Sequence, residues 1–190
     1  MRNRKANAVY SKTEQRILDA LVKKLKEERS INVRTARVSL EAGIALSSFY
    51  IHYDSLSDLI IKNEQKLLSE LKEYLIKKNY YKNLTIEGQY RNILLFLRRY
   101  RAFLDVSIKT DNIETLLKII DLLKPIIKQT WPTYNISLSS KLYRLVAMEY
   151  IFELQLWSAE DYSVVKISEH AHHLCYLSRH APQFYATLYE

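Results

Sequence analysis

The chain has 190 residues and a formal charge of +8, with 29 Lys and Arg against 21 Asp and Glu, and only 2 Gly, 3 Pro and 1 Cys. One cysteine excludes an intrachain disulfide and Cys-based zinc modules. So few Gly and Pro leave almost no hairpin chemistry, and the plentiful Leu, Lys, Glu, Ile and Arg favour helices throughout.

Arg2, Arg4 and Lys5 open the chain like a signal peptide, but Ala6 to Lys12 never becomes an apolar run. No stretch approaches the roughly 18 apolar residues of a membrane span, so a soluble, cytoplasmic protein with no membrane partner is expected. Residues 2–5 read as an unstructured tail. Ile17, Leu18, Leu21, Val22 and Leu25 recur at helical spacing and predict an amphipathic helix over 12–28, with Ser11 or Thr13 as its cap. Lys23, Lys24 and Lys26 fall on its polar face and are expected to be simply solvated.

A second, shorter helix runs from Asn32 or Arg34 to Ala42, with Val33, Ala36, Val38, Leu40 and Ala42 as its apolar positions. It stops at Gly43, where a left-handed backbone is cheap only for glycine. Residues 45–52 form a third helix. The fourth starts at Ser55, in capping-box-like spacing with Asp58, and runs to about Lys78 on Leu59, Ile60, Leu67, Leu68, Leu71 and Leu75.

Asn79–Glu87 lacks periodicity and reads as a break. Helices follow at about 86–99, 101–109, 112–130, 137–158 and 163–180. Pro125 should kink the third of these or force a boundary, and Trp131-Pro132 should end it. The fold class is therefore all-α, and two domains are expected: residues 1–54, with helix four (55–78) connecting, and a helical remainder within 55–190. Residues 1–54 hold 11 of the basic residues against 6 acids, a net of +5, and the longer remainder nets only +3. The positive excess sits at the N-terminus and favours nucleic acid over an anionic membrane as partner.

Two short helices around a glycine turn make a helix-turn-helix, whose second helix enters the DNA major groove. Gly43 makes the turn, and Ile44 is placed to pack beneath it. Ala45, Leu46, Ser47 and Ser48 form the first turn of the recognition helix, where small side chains let the backbone sink deeply. Tyr50 and His52 can donate to phosphates, whereas Phe49 and Tyr53 anchor the helix to its neighbours.

Ala42-Gly43-Ile44, Ser48-Phe49-Tyr50-x-His52-Tyr53 and Ser55-x-x-Asp58-Leu59, preceded by the amphipathic helix, closely resemble the N-terminal DNA-binding domain of the tetracycline-repressor (TetR/AcrR) family. The resemblance covers about residues 12–60. It implies a homodimeric regulator on a palindromic operator, released by a small-molecule effector that binds the helical C-terminal part. By position it implies backbone contacts from Tyr50 and His52, groove contacts from Ser47 and Ser48, and contacts from Arg34, Thr35 and Arg37. Leu46 and Leu56 stand where family members often place cations. The basic residues Arg2, Arg4 and Lys5 could compensate along the backbone or in the minor groove, with Leu46 reading a thymine methyl and DNA shape adding specificity.

In the second half, residues 142–157 are apolar nearly all round, and this helix and the next are expected at the dimer interface as a four-helix bundle. Leu142, Leu145, Met148, Phe152, Leu156, Val165 and Leu174 are candidates for burial there or in the adjoining core. Phe96, Tyr100, Phe103, Trp131, Tyr143, Tyr150 and Trp157 could line an effector pocket, with Glu149 and Glu153 selecting a cation. His170, His172, His173 and His180 read as a polar helix face. Zinc binding by His170 and His173 would need a carboxylate such as Glu169 or Asp161.

No nucleophile elbow, phosphate loop or catalytic carboxylate pair is present in the sequence, so a binding protein without metal or cofactor is expected rather than an enzyme. The alternative function is a nucleoid-associated or division-control protein of the same fold, acting through a protein partner.

Overall fold

A computed structural model describes the backbone of residues 2–28, 33–77, 84–129 and 140–186, and the side chains of these apart from 2–9, 28, 77, 128, 140–143 and 181–186. The described residues are all-helical. Their helices are α1 (Arg2–Glu28), α2 (Thr35–Glu41), α3 (Leu46–His52), α4 (Leu56–Lys77), α5 (Ile86–Leu97), α6 (Arg101–Lys109), α7 (Ile113–Lys128), α8 (Ser140–Ala159) and α9 (Ile167–Ala186), with a 3-10 turn at Arg98–Tyr100. None of them is long and apolar enough to cross a membrane.

The chain forms two compact units. Met1–Lys66 with Ala102–Asn112 make the first, and Leu67–Arg101 with Ile113–Glu190 make the second. The first unit thus takes in the start of α4 and nearly all of α6 besides residues 1–54. The reason is burial: Leu59, Phe103 and Val106 are fully buried, as are Ile17, Val38 and Phe49. Ser55 caps α4 as its spacing predicts, its Oγ accepting from Asp58 N at 3.0 Å, while the Asp58 carboxylate reaches back to Asp54 N at 3.0 Å.

The second unit is built on α5 and α8 against α9, with α7 on α8. Its α7 is the plainest case of pattern becoming packing: Leu116, Ile119, Ile120, Leu123, Ile126 and Ile127, at 3.6-residue spacing, are all buried. Thr85 caps α5, its hydroxyl accepting from Gly88 N at 3.1 Å.

Two expectations change. α1 starts at Arg2 rather than residue 12, because residues 2–11 contain neither Gly nor Pro and are rich in Arg, Lys and Ala, so nothing stops the helix from extending. Residues 2–5 are therefore helical in their backbone, not an unstructured tail. As expected for the 112–130 helix, α7 runs through Pro125, to Lys128, and the proline sets no boundary. Leu40 points outward at 81 % exposure: two residues from fully buried Val38, it lies on the other side of a helix turn. Trp131 and Pro132 lie outside the described residues.

Candidate nucleic-acid interface

α1 positions the two short helices. The Arg16 guanidinium donates to Ala42 O at 2.5 Å and Gly43 O at 3.1 Å, placing a cation against the carbonyl end of α2. Lys23 and Lys24 meet the Glu41 carboxylate at 2.5 and 3.0 Å. These pairs hold the Glu41 carboxyl below its ordinary range, Lys23 contributing most, and raise Lys24, through Glu27 first and then Glu41. Lys23 and Lys24 are thus tied to α2 rather than merely solvated, and Lys26 lies 3.7 Å from Asp105.

The turn itself is closed by two backbone bonds, Gly43 N to Leu40 O and Ile44 N to Ser39 O, both 3.0 Å. That pattern requires a left-handed residue in its middle, and Gly43 supplies it at φ +63°. Ile44 beyond it is half-buried.

α3 then presents two faces. Phe49 is fully buried and Tyr53, at 3 % exposure, packs beside it with ring centroids 5.8 Å apart. Leu46, Ser47, Tyr50 and Ile51 point outward, Tyr50 at 52 % exposure; Ala45 is exposed as the N-terminal cap and Ser48 is half-buried. At the start of α2, Arg34 and Arg37 are exposed and Thr35 is half-buried. Arg2, Arg4 and Lys5 fall on the first turns of α1, with side chains outside the described residues.

His52 departs from its expected place at a phosphate. Its ring is 8 % exposed and lies under Tyr10, centroids 3.9 Å apart, with Glu14 Oε1 4.0 Å from Nδ1. The cause is the extension of α1, which brings Tyr10 over the end of α3. Ile51, at 72 % exposure and one turn beyond Ser47, is the outward residue that the sequence reading did not single out. Only its position on the outward face could have marked it.

Lys62 also lacked a sequence signal. It donates to His52 O at 3.3 Å, pairs with Asp58 at 2.8 Å and lies 5.6 Å from the centre of the Tyr53 ring, locking α4 to the end of α3. A cavity of about 110 Å³ beside it is lined by Ser11, Glu14, Gln15, Leu18, Tyr53, Lys62, Asn63 and Lys66. It is well below the roughly 300 Å³ of a drug-sized site. Burial, helped by the charge of Glu14, pushes the Tyr53 phenol up to about 12.

The residues expected around an effector fall into separate packing groups. Phe96 stacks on Tyr74 at 4.8 Å and lies 5.4 Å from Tyr100, whose hydroxyl donates to Glu70. Tyr150, 1 % exposed, joins its hydroxyl to that of Tyr90 at 2.5 Å. Trp157 is fully buried against Tyr162, donating from Nε1 to Ser163 O at 3.2 Å. Phe103 belongs to the first unit, Glu149 is half-buried, and Trp131 and the Tyr143 side chain lie outside the described residues. Glu153 faces histidines: its Oε1 is 2.5 Å from His170 Nδ1 and 3.3 Å from His173 Nδ1. His170 is 4 % exposed, so the four histidines do not form one polar face.

Met148, Phe152 and Leu156 on α8 are 47, 56 and 42 % exposed, and Val165 is 93 % exposed; Leu174 is buried and Leu145 half-buried. The side chain of Leu142 lies outside the described residues. Compared with protein-family models, curated proteins and solved structures, the chain matches none of them.

Proposed function

We propose that this chain is a sequence-specific DNA-binding transcriptional regulator of the tetracycline-repressor type, a homodimeric repressor released by a small molecule. The observation that carries the reading is α3 itself. Its Phe49–Tyr53 face is buried, its Leu46, Ser47, Tyr50 and Ile51 face is open, and a left-handed Gly43 precedes it. Arg34 and Arg37 stand exposed at the start of the neighbouring α2.

In this reading Tyr50, Arg34 and Arg37 engage phosphates and set the register, while Ser47, Ser48, Leu46 and Ile51 meet base edges and thymine methyls. Two copies related by a twofold axis would place their α3 helices in successive major grooves about 34–36 Å apart. An effector would release DNA by binding more tightly to a state with different spacing, since only differential affinity shifts such an equilibrium.

A second reading keeps the DNA-binding surface but replaces the effector with a protein partner. The full burial of Tyr150 and Trp157, each with its polar atom hydrogen-bonded, favours it. One experiment tests both: selection of bound duplexes from a random pool by the purified protein at two salt concentrations. A twofold-symmetric consensus supports the site-specific repressor; salt-sensitive binding without a consensus supports the DNA platform. No salt-sensitive binding at all overturns both.

A further inference from the structure

The polar cluster between α8 and α9 is independent of the DNA-binding surface. Glu153 on α8 is 6 % exposed, and a carboxylate so buried needs charged or hydrogen-bonding partners. It finds two imidazoles one helical turn apart on α9, and the ligand atoms of Glu153, His170 and His173 all lie within 4.8 Å of one another. We propose that Glu153, His170 and His173 bind a divalent zinc ion through one carboxylate oxygen and two imidazole nitrogens, with a solvent molecule completing the tetrahedron.

The donor set is that of zinc, which takes histidine nitrogen and carboxylate oxygen at about 2.0–2.2 Å in a tetrahedral arrangement. At such bond lengths neighbouring ligand atoms stand roughly 3.3–3.4 Å apart. The separation of Glu153 Oε1 from His173 Nδ1 is already 3.3 Å. His170 Nδ1, at 2.5 Å from the same oxygen, has to withdraw by a little under an ångström (about 0.8 Å on that geometry).

The outer shell is also in place. A metal-ligating histidine usually donates its other ring N–H to a carboxylate, which fixes the ring and raises its basicity. His170 Nε2 lies 2.9 Å from Glu160 Oε2, and Glu160 is itself held by Lys166 at 2.5 Å. The Trp157 ring, 6.2 Å from that of His170, walls the site on one side. The His173 side chain is half exposed, which leaves an entry path and an open position for solvent. Sequence spacing offered Glu169 or Asp161 as the carboxylate, but the residue that meets the imidazoles is Glu153.

The test uses the full chain, purified without a histidine tag and stripped with a chelator. Zinc binding is measured by equilibrium dialysis, and cobalt is substituted to read the visible absorption of a tetrahedral ion. One zinc per chain is expected, with the cobalt band lost in His173→Ala. Glu160→Gln should weaken binding by roughly 10–100-fold through the outer shell. His172→Ala and His180→Ala, on exposed histidines of the same helix, should leave binding unchanged. Because His173 is half exposed its variant should fold, as circular dichroism would verify; Glu153→Gln provides a second removal of a ligand. Failure of the wild type to bind zinc, binding that survives both His173→Ala and Glu153→Gln, or a loss that follows His172→Ala or His180→Ala would overturn the proposal.

Discussion

Tyr10 lays its ring over His52 with centroids 3.9 Å apart and planes tilted by 31°, so the last residue of α3 is covered by α1. This separates two aromatic neighbours that the sequence treats alike. Tyr50 is half exposed on the outward face, whereas His52 belongs to the packing between helices. On the proposed DNA-binding reading, Tyr50→Phe should therefore weaken binding to every duplex by about 0.5–1.5 kcal/mol, the worth of one hydrogen bond, without changing stability. Tyr10→Ala should cost about 1 kcal/mol of stability through the lost ring contact and leave the Tyr50 contribution intact. Urea denaturation alongside DNA titrations distinguishes them. Equal loss of DNA affinity in His52→Gln and Tyr50→Phe, at unchanged stability, would return His52 to the DNA surface.

Gly43 is the residue on which the orientation of α3 turns. Alanine there must adopt φ +63°, and its Cβ would stand 2.9 Å from Arg16 Nη2. The guanidinium cannot swing aside without giving up Ala42 O and Gly43 O. Gly43→Ala should thus cost about 1–2 kcal/mol from the left-handed backbone, and more if the Arg16 bonds break. A loss of this size in Gly43→Ala but a smaller additional loss when Arg16→Ala is already present would show, by a double-mutant cycle, that the two act together. Strict additivity would mean the guanidinium yields freely.

These contacts also mark where sequence reasoning reaches. The Gly43 turn, the Ser55–Asp58 cap and the apolar stripe of α7 are local: their partners lie within a turn or two of the chain, so spacing reveals them. The start of α1 is local too, yet residues 2–11 lack an apolar period, and only the absence of a helix breaker marked them. Leu40 shows the limit of composition, since an apolar residue out of phase with Val38 cannot share its face. His52 under Tyr10, Lys23 and Lys24 on Glu41, and Glu153 against His170 join residues 17 to 42 positions apart, and no one-dimensional period encodes which helix faces which. The Glu153 cluster was accordingly the least legible part of the candidate sites.

The buried hydroxyl pair of Tyr90 and Tyr150 should contribute, alongside Tyr53, to the alkaline limb of stability. Burial pushes the Tyr90 phenol up to about 12 and that of Tyr150 well above its ordinary 10. The unfolded chain then releases these protons at lower pH than the folded one, so it binds fewer of them and stability falls as pH rises. The Tyr90 contribution is fully present below about pH 10 and is lost between about pH 10 and 12. Tyr150 also donates to Leu174 O at 3.3 Å, which leaves Tyr90 as the donor to Tyr150. Tyr90→Phe should cost about 0.5–1.5 kcal/mol at neutral pH and flatten the alkaline slope. Tyr150→Phe removes two hydrogen bonds at once, those with Tyr90 and Leu174 O, and should cost more, about 1–3 kcal/mol. Denaturation at neutral pH and again near pH 11 reads both effects; an unchanged alkaline slope in Tyr90→Phe would place the loss elsewhere.

The exposed stripe of α8 gives the homodimer reading its sharpest test. Met148, Phe152 and Leu156 succeed one another at four-residue spacing, so they form one line along the helix, with Phe152 at 56 % exposure in its middle. An apolar line of this kind is what a twofold helix-on-helix interface covers, and each residue in it would be buried twice, once per copy. Phe152→Glu would bury two like charges near the axis without partners. Sedimentation equilibrium should then show a monomer, with the helical circular dichroism preserved because the side chain is open in the single chain. Affinity for a palindromic duplex should drop by at least the loss of one half-site, while a single half-site is bound as before. A variant that stays dimeric would move the interface off α8, and one that is monomeric yet binds the full palindrome undiminished would separate dimerisation from DNA recognition.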